Sequence, residues 1–160
     1  MKQKKLSKWL KLIMIGAGIV IAVIFFVILP DYGMSLAEEY PEFAGCFWPW
    51  LILFWICVVP LYITIVLGWF IAVSVGDDRP FTGDNARRLK WASRLIAWDG
   101  VFFFAMNIIY GFAGLGGHPA IFFFSLLVLF AALAMAVVFA TLSHLVGKAA
   151  SLQEQSDLTI

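Results

Sequence analysis

Four long apolar stretches, separated by polar segments, dominate the pattern of this chain. They cover about residues 9–29, 47–75, 95–113 and 119–146. Because about 20 consecutive apolar residues in a helix cross the hydrocarbon core of a bilayer, each stretch is long enough to span a membrane. The pattern predicts an all-α fold, a four-helix transmembrane bundle that forms a single integral membrane domain over residues 1–160.

Prolines and capping residues predict where these helices bend, begin and end. We expect Pro30 to end the first span and Pro60 to kink the second, since proline removes one helical hydrogen bond and its ring clashes with the preceding turn. Thr82 or Asp84 is expected to cap a short amphipathic segment that leads into the third span. The remaining segments are predicted loops and a tail, about residues 31–45, 76–94, 114–118 and 147–160.

Charged residues are distributed unevenly between these segments. All eleven Lys and Arg residues lie in residues 2–11, in residues 79–94 or at position 148, whereas residues 31–45 carry four acidic side chains and no basic one. Basic residues accumulate on the cytoplasmic side of membrane proteins. We therefore predict a multi-pass protein of the bacterial cytoplasmic (inner) membrane, with both termini and residues 76–94 in the cytoplasm and residues 31–45 and 114–118 outside.

Composition excludes an ordinary soluble domain. The mean hydropathy is +0.97, and 63% of residues are hydrophobic while 13% are charged. The basic inner face is expected to contact the anionic inner leaflet of the lipid bilayer, and direct nucleic acid binding is not expected. Cys46 and Cys57 lie 11 residues apart, about 16 Å along one helix, so they are expected to be unbridged packing residues.

Polar residues inside the spans are candidate functional groups. Asp99 lies near the inner end of the third span, and Asn107 lies about two turns further along. His144 is expected at a depth similar to that of Asp99, so one hypothesis is an Asp99–His144 latch that responds to protons. The alternative is a structural contact between helices, or a carboxylate that reaches towards Arg94. His118, in the outer turn, is a weaker candidate for pH or metal sensing.

Enzyme motifs and metal-binding spacings are absent from the sequence. There is no His-Glu-x-x-His, nucleophile elbow or phosphate loop, and no second carboxylate is placed to work with Asp99. The chain is therefore expected to be no enzyme and to carry no cofactor or metal.

Two segments carry a family resemblance. The inner loop reads Arg79-Pro80-Phe81-Thr82-Gly83-Asp84-Asn85-Ala86-Arg87-Arg88-Leu89, and the chain ends Leu152-Gln153-Glu154-Gln155-Ser156-Asp157-Leu158-Thr159-Ile160. Together they resemble the domain of unknown function 2975 family, small four-span bacterial membrane proteins whose members look like PF-x-x-x-N-x-x-R-L in the loop and L-x-E-x-x-D-L-T-I at the C-terminus. Ser156 stands where an acidic or amide residue is more usual in that family.

The resemblance implies a cytoplasmic partner, because such proteins are typically encoded beside a small Xre-type helix-turn-helix regulator. The predicted function is a non-enzymatic sensor or anchor that binds or sequesters this regulator, with Asp99 as the coupling element. The predicted docking residues come from both segments: Pro80, Phe81, Asn85, Arg87, Arg88, Leu89, Asp157, Leu158, Thr159 and Ile160.

Two alternatives stay open at this point. The loop and the tail could pack on each other, with Phe81 and Ile160 filling the inner mouth of the bundle. The chain could also be a small transporter or an accessory subunit of one, for which the available polar side chains are Thr64, Asp99, Asn107 and Ser125. The sequence leaves open whether the chain forms a homo-oligomer.

Overall fold

The computed structural model describes residues 2–116 and 119–157. These residues form five α-helices and two short helical turns: α1 (Lys2–Val23), a π-helical turn (Ile24–Ile28), α2 (Leu29–Glu39), a 3-10 helix (Pro41–Cys46), α3 (Phe47–Gly76), α4 (Gly83–Phe112) and α5 (Pro119–Asp157). Four helical segments are long and apolar enough to cross a membrane. The predicted all-α fold with four spans is confirmed.

The first span continues past Pro30, so the expectation that this proline ends the helix is wrong. Pro30 lies in the first turn of α2, where a missing N–H is tolerated, and α2 continues to Glu39. Most of the predicted outer loop is therefore helical.

A π-helical turn, Ile24–Ile28, precedes the proline and accommodates it. Here the Leu29 N–H donates to the carbonyl five residues back. The N–H that would next reach the Phe25 carbonyl in this register is that of Pro30, which proline lacks. The indole of Trp55 on α3 donates to the Phe25 carbonyl instead, at 3.2 Å. A neighbouring helix thus satisfies a backbone group that would otherwise be left unpaired in lipid.

α1 packs antiparallel to α3 along its whole length. At one end the Ser7 hydroxyl donates to the Ala72 carbonyl at 2.6 Å, and further along the Tyr62 hydroxyl donates to the Gly18 carbonyl at 2.9 Å. Because the serine side chain is short, the bond from Ser7 requires the two backbones to lie close together at that point. Small residues at the contact make that approach sterically accessible.

α4 and α5 form the most extensive helix pair of the structure, also antiparallel. The Ser93 hydroxyl on α4 is buried and donates to the Ala136 carbonyl on α5 at 2.7 Å. Gly100 faces Ala132 so closely that a Cβ built on the glycine would lie 2.5 Å from the alanine Cβ. The alanine-rich stretch of the fourth span therefore packs closely against α4, as small residues permit.

α3 and α4 are joined by a small core and by aromatic side chains. The buried residues Leu53, Cys57 and Phe103 form the core. Where the start of α3 meets the end of α4, the Tyr110 hydroxyl donates to the Pro49 carbonyl at 3.0 Å. The Trp50 indole donates to a carbonyl in the turn after α4.

The helices therefore associate in the order α1, α3, α4, α5. Among the described residues, the backbone of α1 approaches neither α4 nor α5. Ser7 lies against Gly76 and Gly147 lies against Ala86, so the N-terminal basic segment, the α3–α4 turn and the final stretch of α5 share one end of the molecule. We call this the basic end, and the positive-inside rule predicts that it faces the cytoplasm.

Three glycines offer a graded test of this packing. Gly→Ala in a helix interior ordinarily stabilises by about 0.5–1 kcal/mol. At Gly16 the new Cβ meets nothing within 4 Å, at Gly68 it meets the flexible end of Met14 at 2.8 Å, and at Gly100 it meets a Cβ at 2.5 Å. We expect Gly16→Ala to be neutral or stabilising and Gly100→Ala to destabilise by about 1–3 kcal/mol, with Gly68→Ala between them.

The measurement is reversible unfolding of the three variants in mixed detergent–SDS micelles. Gly16→Ala is the matched control, because it adds the same methyl group to a helix interior without a contact. Equal stability of Gly100→Ala and Gly16→Ala would contradict the α4–α5 packing.

Candidate functional site

The turn between α3 and α4, residues 77–82, forms the centre of the basic end. The Arg79 N–H donates back to the Ser74 carbonyl at 2.9 Å, and the Asp77 N–H donates to the Val73 carbonyl at 3.1 Å. Asp78 has φ 58°, a left-handed conformation that aspartate tolerates better than most residues. The chain therefore reverses within six residues and brings the end of α3 beside the start of α4.

Asn85 fastens this turn to α4. Its side chain is 1% exposed, and its Nδ2 donates to the Pro80 carbonyl at 3.1 Å and to the Arg79 carbonyl at 3.5 Å. Its backbone N–H donates to the Thr82 hydroxyl at 3.2 Å, which confirms Thr82 as the helix cap. An amide side chain suits the position because it offers donors and an acceptor at once.

Arg88 extends the same network to α3. Its Nη1 donates to the Asn85 Oδ1 at 2.8 Å and to the Ser74 hydroxyl at 3.5 Å. The guanidinium also lies over the Phe70 ring, 5.2 Å from its centroid, a cation–π contact. Asn85 and Arg88 therefore hold two helices together, and their side chains are engaged within the protein.

The surface of α4 that stays exposed is basic and aromatic. Arg87, Trp91, Arg94 and Trp98 recur at three- and four-residue spacing and are all exposed, so they share one face of the helix. The Arg94 guanidinium lies 5.7 Å from the centroid of the Trp91 ring. Arg87 pairs with Asp84 at 4.0 Å, but both are more than 70% exposed, so the pair adds little stability. We call Arg87, Trp91 and Arg94 the basic stripe.

The predicted docking residues thus divide into two groups. Phe81, 51% exposed, and Arg87 are on the surface. Asn85 and Leu89 are buried, while Pro80 and Arg88 are partly buried and belong to the network around Asn85. The motif that the sequence singles out therefore combines a structural half and an exposed half.

The last part of α5 extends away from the other helices beside this network. The Ser143 hydroxyl donates to the Ala86 carbonyl at 2.7 Å, and a Cβ on Gly147 would lie 3.5 Å from the Ala86 Cβ. The helix then continues to Asp157, about 15 Å further at 1.5 Å per residue. The side chains of residues 151–156 are exposed, and the predicted docking residues Leu158, Thr159 and Ile160, with the side chain of Asp157, lie outside the described part.

The intramembrane polar residues are not brought together as the sequence suggests. Asp99 is half-buried and its carboxyl group interacts with the thiol of Cys57 on α3. His144 is exposed and follows Ser143, which contacts Ala86. Since Asp99 lies about 20 Å beyond Ala86 along α4, an Asp99–His144 contact is ruled out.

Asn107 lies in the contact between α4 and α5 and is 7% exposed. Its Nδ2 donates to the Phe103 carbonyl of its own helix at 2.8 Å, and its Oδ1 has no hydrogen-bond partner among the described residues. Asn107 and Asp99 thus face different helices, and the Thr64 hydroxyl donates within α3. The Ser125 hydroxyl likewise donates within its own helix, to the Phe122 carbonyl at 2.8 Å.

No group of three His, Cys, Asp or Glu side chains in residues 2–116 and 119–157 is arranged to hold a metal ion. His118, the weaker candidate for metal or pH sensing, is outside the residues that the structure describes.

Sequence reasoning missed the hydroxyl groups that join the helices. Ser7, Ser93 and Ser143 each donate to a backbone carbonyl of another helix. A signal was present, because a serine within an apolar helix needs a partner in lipid and a small residue permits close approach. The partner helix, however, could not be read from the pattern.

Comparison with known proteins supports the resemblance seen in the sequence. The family model described as "Protein of unknown function (DUF2975)" matches residues 31–160. The chain is similar to the uncharacterized membrane protein YoaS of Bacillus subtilis (strain 168), with 24% identity over 153 residues that cover 95% of this chain and 96% of the relative. No solved structure matches the chain.

Asn85 gives the sharpest test of the network at the basic end. Asn85→Ala leaves the Arg88 guanidinium and two loop carbonyls without their amide partner, so we expect a loss of about 1–3 kcal/mol in the free energy of unfolding. Arg87→Ala, two positions away on the exposed face, should change it by less than about 0.5 kcal/mol. SDS-induced unfolding in detergent micelles measures both, and equal effects of the two variants would show that Asn85 has no structural role.

Proposed function

The chain belongs to the DUF2975 family of proteins of unknown function, and from this premise we propose that it is a membrane anchor for a small cytoplasmic helix-turn-helix regulator. In this proposal the basic end binds the regulator and keeps it at the membrane. A signal in the membrane or on the outer side alters that hold.

The observation that carries the proposal is the basic stripe together with Phe81. Arg87, Trp91 and Arg94 are exposed on one face of α4, and Phe81 is exposed in the adjoining turn. Arginine and tryptophan are the residues most often found at the energetic centres of protein interfaces. Their position on a rigid helix, fixed by the Asn85 network, presents them to a partner without a large ordering cost.

α5 supplies the second part of the proposed docking surface. It extends away from the other helices after its contact with Ala86, and its side chains at residues 151–156 are exposed. The sequence Asp157-Leu158-Thr159-Ile160 that follows combines one acidic and two aliphatic side chains, which suits capture in a groove of a partner.

Asp99 is the proposed link between the membrane and the basic end. It lies in the contact between α4 and α3, beside Cys57, and Arg94 of the basic stripe precedes it by five residues on α4. A signal alters the hold on the regulator only if it favours one arrangement of α3 and α4 over another. A carboxyl group placed in this contact is sensitive to such a change, because its environment is set by both helices.

The test is co-purification from gently solubilised native membranes, with mass spectrometry to identify bound proteins. The full chain should recover a small helix-turn-helix protein. Arg87→Glu combined with Trp91→Ala, and separately a chain lacking residues 157–160, should each reduce its recovery about 10-fold or more, as loss of interface anchors does.

Trp98→Ala is the matched control. Trp98 is 73% exposed on the same face of α4, but further along the helix and beyond the basic stripe. This variant should recover the regulator as the full chain does. Failure to recover any helix-turn-helix protein with the full chain, or equal recovery with all four proteins, would contradict the proposal.

A further inference from the structure

An apolar cavity of about 870 Å³ lies at the end of the molecule opposite the basic end. Its walls come from α2, the 3-10 helix, the start of α3, α4 with the turn after it, and the start of α5. The lining is almost entirely aliphatic and aromatic, and its main residues are Tyr32, Leu36, Phe43, Trp50, Phe103 and Phe124. The volume lies within the range of about 300–1,000 Å³ that small-molecule sites occupy.

α2 is amphipathic, and its apolar side faces this cavity. Leu29, Gly33 and Ala37, like Tyr32 and Leu36, line it. Asp31, Ser35 and Glu38 fall on the opposite side of the helix at 100° per residue, and all three are exposed. No residue of α2 is buried. The apolar side of the helix therefore faces a space that the described part of the chain does not fill.

The cavity has a lateral opening to the surroundings of the helices. α2 and α5 both line it, yet their backbones do not approach each other. In a chain with four membrane-spanning helices, a gap between two of them gives access from the bilayer. An apolar cavity of this size left to water would expose aromatic and aliphatic surface at a large cost, whereas a hydrocarbon chain would cover that surface.

Charge around the cavity restricts the headgroup of such a lipid. Asp31, Glu38, Glu39 and Glu42 lie on α2 and on the turn that follows it, and the sequence has no Lys or Arg between Lys11 and Arg79. These carboxylates would repel an anionic headgroup and attract an amine-bearing one.

We propose that this cavity binds one acyl chain of a phospholipid with an amine-bearing headgroup, taken from the outer leaflet. The chain lies between α2 and α5 against Trp50 and Phe124, and the headgroup lies beside the carboxylates of α2. The proposal is independent of the regulator, because the site lies at the end of the molecule opposite the basic stripe.

The experiment is native mass spectrometry of the full chain released from nanodiscs that contain equal amounts of phosphatidylethanolamine and phosphatidylglycerol. We expect one tightly retained lipid per chain, with phosphatidylethanolamine about 10-fold over phosphatidylglycerol. Ala37→Trp fills the cavity and should abolish retention. Ser35→Trp adds the same side chain to the acidic side of the same helix and should retain the lipid as the unmodified chain does.

The unmodified chain alone can overturn the proposal, so the test does not depend on the folding of a variant. Retention of no lipid, or of the two lipids in their bulk ratio, would exclude a selective site. Equal retention by Ala37→Trp and Ser35→Trp would place the lipid elsewhere on the protein. Ala37→Leu, a smaller filler, should give intermediate retention if the cavity is the site.

Discussion

Close approach of helix backbones at glycine, alanine and serine is the interaction on which the rest of this structure depends. In lipid there is no hydrophobic drive between helices, so they associate where small residues permit dense packing and extra hydrogen bonds. Tyr62 reaches the Gly18 carbonyl, Ser7 reaches that of Ala72, and Ser93 reaches that of Ala136. These contacts fix α1 on α3 and α5 on α4. The exposed aliphatic and aromatic residues elsewhere on the helices are then available to lipid.

This packing produces two chemically different ends. At the basic end, Asn85 and Arg88 join α3, the turn and α4 into one network, and this rigid base presents the basic stripe. At the other end, α2 packs on the start of α3 but does not approach α5, and an apolar cavity stays open beside it. The two ends share α3 and α4, with the Asp99–Cys57 contact between them. The proposed docking surface and the proposed lipid site therefore lie at opposite ends and do not overlap.

Much of the fold could be predicted because it follows from composition and from the length and spacing of the apolar stretches. Apolar length predicts the four spans, and the uneven placement of basic residues predicts which segments lie at one end. Thr82 was a recognisable cap, since its hydroxyl precedes the first helical turn. The docking motif was also recognisable, although its division into a buried Asn85 and an exposed Arg87 depends on which side of α4 faces the protein.

The remaining features depend on partners distant in the sequence. Pro30 predicts a helix end by local rules, but the helix continues because the Trp55 indole of α3 donates to the carbonyl that proline cannot reach with an N–H. The sequence places His144 and Asp99 at similar depth because it does not encode the register of α4 on α5. That register follows from the bond between Ser143 and Ala86. The cavity arises from the absence of contact between α2 and α5, which no local pattern encodes.

The orientation of the two ends is the claim on which both proposals rest, and site-directed thiol labelling in intact cells tests it directly. In a Cys46→Ser background, where the remaining Cys57 is 6% exposed, Glu38→Cys and Phe81→Cys each add one exposed thiol. A membrane-impermeant maleimide should label Glu38→Cys in intact cells and Phe81→Cys only after the membrane is permeabilised. The reverse pattern would place the basic end outside the cell and contradict the account.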